Sequence, residues 1–306
     1  MSDDEARFVD RVNIPNQATY SPVALMDIFM LAPLASRVLL GATVPGRVLQ
    51  ALALGAYAGS ALTDWISRQD ARPIDFKKVF GQDLAHLKPM TDEEREREAA
   101  KLIAELNAGY QPTDMTRGEL AVLVNDQLTT YIASITGQRV ETSAEVRSFA
   151  ISKLIFPFAL GACDILTGDV TIYRDSGIFE AHVIAHEFCH RKGYYKELQA
   201  QAIAYLALST AEDRVLVQSA EAERVHRNLR VLADGDLDRY HELVDESGLR
   251  EELAKDFHAI RPEPSAYERA VWAVMKPIME ERMRMTGQNG LSDYDAGFTD
   301  FIHSQG

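Results

Sequence analysis

The sequence predicts a mainly α protein of the α+β class with a short sheet, and three observations support this prediction. Apolar residues recur with helical spacing around 178–192, 195–209, 211–232 and 265–285. Segment 169–175 (DVTIYRD) is rich in β-branched and aromatic residues between turn residues, which indicates a short strand. The 306 residues, 46% apolar and 25% charged, suffice for one large or two modest globular domains with a buried core.

The net charge and the cysteine content limit the possible partners and the cellular compartment of the protein. The formal net charge is −14, so duplex nucleic acid would meet a repulsive field, and we exclude it as a partner. The chain has two cysteines, Cys163 and Cys189, and the second lies inside the motif described below, where a disulfide would be awkward. Residues 1–7 (MSDDEAR) are acidic, unlike the start of a secretory signal. We therefore expect a reducing, cytoplasmic location.

Segment 17–63 is the longest stretch of low charge. Its longest uncharged run, 48–63, is shorter than the roughly 20 apolar residues of a membrane-spanning helix. Its charged residues are Asp27, Arg37 and Arg47, and its prolines are Pro22, Pro33 and Pro45. We favour a pair of buried helices, and the alternative is a hairpin that dips into one face of a bilayer and gives peripheral membrane association.

Residues 64–120 are more polar and contain one clear helix. Thr91 with Glu94 forms a capping-box pattern, and the helix runs from there to about Asn107 and stops at Gly109. Apolar residues at 102, 103 and 106 lie on one side of this helix. The charged block 91–98 is therefore interpreted as its solvated face.

The residues that indicate chemistry form an H-E-x-x-H motif at 186–190. His186 and His190, one turn apart on one helix face, can bind one tetrahedral metal ion at about 2.0 to 2.1 Å. Glu187 is offset around the helix, so it can take a proton from a metal-activated water. We predict a zinc ion held by these histidines, with Glu187 as the catalytic base.

A third protein ligand would leave one coordination position open for water, and Glu197 is the candidate. Gly193 breaks the chain between the two helices, and Glu197 begins the second one. The alternative is that Glu197 is a plain solvated charge. His182, one turn before His186, is either a donor to a metal ligand or a polar residue at the helix start.

The block 186–208 (HEFCHRKGYYKELQAQAIAYLAL) resembles a bacterial family of candidate zinc metallopeptidases that has long been classed as a domain of unknown function. That family combines H-E-x-x-H with an E-x-E-A-N element and an apolar A-Y-L-A run. Weaker similarity continues in 157–158, 167–175 and 287–294 (GQNGLSDY), so the resemblance covers about 145–306. It implies a zincin-like catalytic domain at 141–306, after a helical N-terminal region at 1–140 that is often membrane-anchored in the family.

The match departs from the family at the acidic element, where this chain has Gln199 and Gln201. Glu197, Ala200 and Gln201 also resemble the E-x-x-A-D element of integral-membrane prenyl-protein and heat-shock metallopeptidases, whose glutamate is the third ligand. The resemblance therefore implies Glu197 as ligand and Gln201 as an orienting group beside it. If the ligand position corresponds instead to Gln199, zinc would bind weakly or not at all.

Together these observations predict a zinc metalloendopeptidase that acts on a protein or peptide substrate. The resemblance to zincins implies that the strand at 169–175 is an edge strand with which an extended substrate can pair. An oxyanion donor is also expected, and Tyr205, Tyr294 and His182 stay open as candidates. The alternatives are a zincin-like binding or regulatory protein without catalysis, a zinc hydrolase of another class, and a helical interaction protein without metal.

Overall fold

A computed structural model describes residues 10–14, 43–147, 157–164 and 167–305. These residues are mainly helical and include two small sheets, so the predicted fold class is confirmed at this level. The helices are α1 (Val44–Gln69), α2 (Phe76–Phe80), α3 (Asp92–Gly109), α4 (Arg117–Thr136), α5 (Glu180–Arg191), α6 (Glu197–Ser209), α7 (Arg214–Leu232), α8 (Leu237–Glu246), α9 (Glu251–Ile260), α10 (Ala266–Met285) and α11 (Ala296–His303).

The sheets are short, and each pairs two strands. Strands β1 (Asp10–Asn13) and β2 (Gln138–Glu141) are parallel. Strands β3 (Gly161–Cys163) and β4 (Val170–Ile172) are antiparallel, with Ala162 opposite Thr171. The second sheet lies against α5, so it is the sheet that shapes the candidate site.

Helices α4, α5, α6 and α7 pack around one apolar core. Leu128, Ile184, Phe188, Ile203 and Val225, which come from these helices, are completely buried. The core contains residues from both sides of the predicted domain boundary at 140. Helix α4 thus packs on the helices of the candidate site, and the two-domain division stays a prediction.

Most helices expected from the sequence are present. The capping box of α3 is confirmed, because the Thr91 hydroxyl accepts the Glu94 amide at 3.2 Å and the Glu94 carboxylate accepts the Thr91 amide at 2.8 Å. The predicted helices at 178–192, 195–209, 211–232 and 265–285 correspond to α5, α6, α7 and α10. No sequence pattern indicated the short helices α2, α8, α9 and α11 or the longer helix α4.

The prediction of buried helices in 17–63 is wrong for the side chains that the structure describes there. Residues 17–42 lie outside the described part, and 44–63 belong to α1. Val44, Val48, Leu52 and Leu62 are each more than half exposed. The reason is that the packing described for α1 is at its C-terminal end, where Arg68 is buried and its Nε donates to the Tyr195 hydroxyl at 3.1 Å. Among the described residues, no helix combines the length and hydropathy that crossing a bilayer requires.

Candidate metal centre

Helix α5 carries the H-E-x-x-H motif and is fixed at both ends. At its start, the Glu180 carboxylate accepts from Arg117 Nε and from the Ser176 amide. At its end, the buried Arg191 guanidinium donates to the carbonyls of Ser143, Glu145 and Gly168 at 2.7 to 2.8 Å. These contacts fix the direction of the helix, while Phe188 on its inner face packs in the core.

The turn between α5 and α6 brings the third predicted ligand back to the two histidines. Gly193 has φ +101°, a conformation that favours glycine, and a Cβ there would lie 3.1 Å from the Arg68 carbonyl oxygen. The Tyr194 amide donates to the Cys189 carbonyl at 3.0 Å, which closes the turn. Helix α6 then begins at Glu197. The predicted role of Gly193 as the break between the helices is confirmed.

The side chains of His186, His190 and Glu197 converge. The two Nε2 atoms lie 3.1 Å apart, and Glu197 Oε2 lies 3.3 Å from His186 Nε2 and 3.4 Å from His190 Nε2. Two ligands of a tetrahedral zinc ion, each bound at about 2.0 to 2.1 Å, are about 3.3 to 3.4 Å apart. The three separations therefore fit one ion of this size, and the group could hold a metal.

The tautomer of His190 also suits a metal ligand. Its Nδ1 lies 2.8 Å from the Tyr194 carbonyl oxygen, which can only accept a hydrogen bond. Nδ1 therefore carries the proton, and Nε2 presents its lone pair to the cluster when the ring is neutral. Metal-bound histidines in proteins commonly use this arrangement, in which the second ring nitrogen is fixed by an outer acceptor.

Without a metal, the cluster behaves as an ion pair. Burial by itself lowers the pKa of His190, but the hydrogen bond and the charge of Glu197 outweigh it and raise that pKa to about 9. Burial raises the pKa of Glu197, and the hydrogen bonds from His186 and His190 reverse this and hold it well below its usual value. Glu197 is thus a carboxylate ready to bind a cation. Among the His, Cys, Asp and Glu residues that the structure describes, the carboxylate of this cluster comes from Glu197, two positions before Gln199, the other position considered for the third ligand.

Glu187 lies beside the cluster under strand β3. Its carboxylate accepts a hydrogen bond from the Cys163 amide, and burial raises its pKa. Gly161 permits this close approach, because a Cβ at that position would lie 3.1 Å from Glu187 Cγ. A buried carboxyl group with a raised pKa is suited to take up a proton.

Strand β3, and not β4, is the edge next to Glu187. Strand β4 pairs with β3 on one side and bridges to Arg147 on the other, so the prediction that segment 169–175 supplies the edge strand is wrong. The pairing of Ala162 with Thr171 turns the amide and carbonyl groups of Gly161 and Cys163 away from β4. No sequence pattern indicated β3, because a segment of three residues with the sequence Gly-Ala-Cys is too short and too poor in β-branched residues.

The segment Gly287 to Tyr294 completes the site from the far end of the chain. Gln288 Oε1 accepts the amide of Glu197 at 2.7 Å. The Tyr294 hydroxyl donates a hydrogen bond to the Glu197 carboxylate, and its ring centroid lies 6.5 Å from that of His186. The family resemblance includes this segment, but no sequence pattern indicated that Gln288 would contact Glu197.

Two other predicted residues, His182 and Gln201, lie in a second buried network, which we call the Glu223 network and define as His182, Gln201, Glu223 and Arg227. Gln201 Nε2 donates to Glu223 Oε1 at 2.6 Å, Arg227 Nε donates to the same oxygen at 2.6 Å, and His182 Nδ1 lies 3.9 Å from it. Gln201 therefore donates to Glu223, whereas it was predicted to orient the metal ligand Glu197. Burial lowers the pKa of His182 to about 4, so its ring is neutral at pH 7.

Tyr205 does not join either cluster. Its ring packs edge-on against Phe298 at 5.6 Å, and the charged groups that act on it are those of α3 and α7. Both cysteines are free thiols.

Comparison with known protein families places the chain in a family of unknown function. A family described as "Protein of unknown function (DUF3810)" matches residues 80–301, a range that contains the complete cluster and the Glu223 network. No curated protein and no solved structure matches the chain significantly. The resemblance to zinc metallopeptidases therefore stays a prediction.

Proposed function

The chain belongs to the DUF3810 family of unknown function, and we propose that it is a zinc-dependent metallopeptidase with a zincin-like catalytic domain. His186, His190 and Glu197 hold the metal, and Glu187 is the general base. The observation that carries this proposal is the set of three ligand separations, 3.1, 3.3 and 3.4 Å, around one point. Zinc is the metal because two imidazoles and one carboxylate form a common ligand set of catalytic zinc sites.

The chemistry follows from the positions of the protein groups. When bound, zinc supplies a Lewis acid that acidifies a water molecule and polarises a carbonyl. Glu187 takes the proton of that water as its oxygen attacks the peptide carbonyl carbon, and then gives the proton to the nitrogen as the C–N bond breaks. The buried surroundings of Glu187, which raise its pKa, favour its role as proton carrier in both steps.

An extended peptide is the substrate that this surface supports best. The amide and carbonyl of Gly161 and the carbonyl of Cys163 face away from β4 and can pair with the backbone of an added strand, while the Cys163 amide donates to Glu187. Such pairing would bring the peptide carbonyl past Glu187 and the cluster. Because backbone pairing is independent of side chains, it selects an extended conformation and leaves the sequence preference to other contacts.

The test uses the purified full chain and two variants. We expect about one zinc per chain and cleavage of members of a peptide library. Glu187→Gln keeps the shape of the side chain but cannot accept the proton, so it should lower kcat/KM by at least about 10²-fold with unchanged zinc content. The matched control is Glu251→Gln, the same change at an exposed residue of α9, which should behave as wild type.

Three results would contradict the proposal in different ways. Absence of zinc after loading would remove the metal centre. Zinc binding without cleavage would indicate a zincin-like binding or regulatory protein. Equal cleavage by wild type and Glu187→Gln would show that Glu187 is not the base.

A further inference from the structure

We infer that Tyr294 is a further catalytic residue, whose hydroxyl donates a hydrogen bond to the oxyanion that develops on the attacked peptide carbonyl. This inference rests on the proposed function and assigns a role that neither the ligands nor Glu187 can fill. As the water oxygen bonds to the carbonyl carbon, the C=O π electrons move to the carbonyl oxygen. Tyr294 keeps its proton throughout and stabilises that charge through its O–H dipole.

The position of the hydroxyl supports this role. It reaches the cluster directly, because it donates to the carboxylate of Glu197. The 6.5 Å between the ring centroids places the Tyr294 ring beside His186, with the two planes inclined at 36°. A substrate carbonyl that is polarised at this cluster therefore lies close to the Tyr294 hydroxyl. Glu197 offers more than one lone pair, so the donor can leave it without unpairing a buried carboxylate.

The segment that carries Tyr294 is fixed before any substrate arrives. Upstream of it, the Asp293 carboxylate accepts from the Asn289 amide at 3.0 Å and from Asn289 Nδ2 at 2.9 Å. Downstream, Asp295 binds Arg227 at 2.8 Å and Arg230 at 3.1 Å. A donor that is held in place costs little reorganisation when charge develops, and this is the condition for strong electrostatic stabilisation.

The two other donors considered from the sequence are placed elsewhere. Tyr205 packs on Phe298 and contacts neither a ligand nor Glu187 in the described part of the chain. His182 lies 3.9 Å from Glu223, in the Glu223 network. Of these three residues, Tyr294 is the one whose donor reaches the cluster, so the structure selects among candidates that spacing left open.

The experiment compares wild type, Tyr294→Phe and the control Tyr205→Phe, each as the full zinc-loaded chain. It measures zinc affinity by competition with a chromophoric chelator, kcat and KM on one cleaved peptide, and the affinity of a phosphinic peptide that mimics the tetrahedral species. Tyr294→Phe should lower kcat by about 10²- to 10³-fold, the usual loss for one oxyanion donor. It should also weaken binding of the phosphinic peptide, while KM and zinc affinity stay as in wild type. Tyr205→Phe should change none of these values.

Other results overturn the inference. If Tyr294→Phe keeps the full kcat while Glu187→Gln is impaired in the same assay, the inference about Tyr294 is overturned and the peptidase proposal is not. A loss of kcat that accompanies an equal loss of zinc affinity also overturns it, because Tyr294 would then only position Glu197. A wild type that binds zinc but cleaves no peptide overturns this inference and the peptidase proposal together.

Discussion

Helix α5 supplies histidines to two buried clusters that look alike in sequence but differ in charge. In the metal cluster, His186 and His190 face Glu197, and in the Glu223 network, His182 faces Glu223. Arg227 binds Glu223 at 2.6 Å, whereas the described part of the chain contains no lysine or arginine that pairs with Glu197. Glu223 thus has a permanent protein cation, whereas the charge partners of Glu197 are imidazoles that can lose their protons.

This difference identifies which cluster can bind a metal. Residues 182, 186 and 190 share the same four-residue spacing, so spacing alone treats them equally. Burial would raise the pKa of Glu223, but the charge of Arg227 overrides it and keeps that pKa far below its usual value. The Glu223 network is neutralised from within, so an added cation would gain little there. At Glu197, the positive partner in the metal-free protein is the protonated imidazole of His190, and a divalent ion can replace that proton.

Replacement of one histidine in each cluster by alanine should give the largest difference in zinc content between two variants. His190→Ala removes a ligand, so zinc content should fall from about one per chain to nearly none and peptidase activity should disappear. His182→Ala, the matched change two turns earlier on the same helix, should retain zinc. The measurement is metal content after gel filtration in zinc-free buffer. Loss of zinc in both variants would show that the two clusters are not separate.

A change at Glu223 should affect stability rather than metal content. Glu223→Gln leaves Arg227 buried with Asp295 as its remaining partner, and loss of one partner of a buried pair costs about 3 kcal/mol or more. Urea unfolding of the zinc-free variant, compared with zinc-free wild type, measures this cost. Zinc stoichiometry should be unchanged. A variant as stable as wild type would mean that Glu223 and Arg227 do not form the pair described.

The smallest predicted effect is a pH dependence of zinc affinity, which the metal cluster should show and the Glu223 network should not influence. His190 must lose its proton to bind zinc, and its pKa in the metal-free protein is raised to about 9. Below that pH the proton competes with the metal, so zinc affinity should rise about tenfold per pH unit from pH 7 and level off near pH 9. In the metal-free fold the same raised pKa stabilises the protein below about pH 6.5, and this contribution is lost as the pH rises through 9.

Chelator competition between pH 6.5 and 9.5 tests this slope, with Glu223→Gln as the control that should keep it. A flat zinc affinity over this range would contradict the pairing of His190 with Glu197.

The sequence predicted the parts of the site that depend on local geometry. His186, Glu187 and His190 follow from helical spacing, and Glu197 follows from the glycine break and the helix after it. The positions of Gly161, Gln288 and Tyr294 depend on contacts between segments far apart in the chain, which no local pattern encodes. The exposure of Val44, Val48, Leu52 and Leu62 in α1 was not predicted for a related reason, since low charge predicts burial only when a neighbouring surface is available.

The contact of Gln288 and Tyr294 with Glu197 also bears on when the protein becomes active. A chain still being synthesised has the histidines His186 and His190 and the carboxylates Glu187 and Glu197 well before residues 287–294 emerge from the ribosome. Under the proposed chemistry, such a nascent chain can bind zinc but lacks the hydroxyl that stabilises the oxyanion. Synthesis order would thereby delay full proteolytic activity until most of the polypeptide around it has folded.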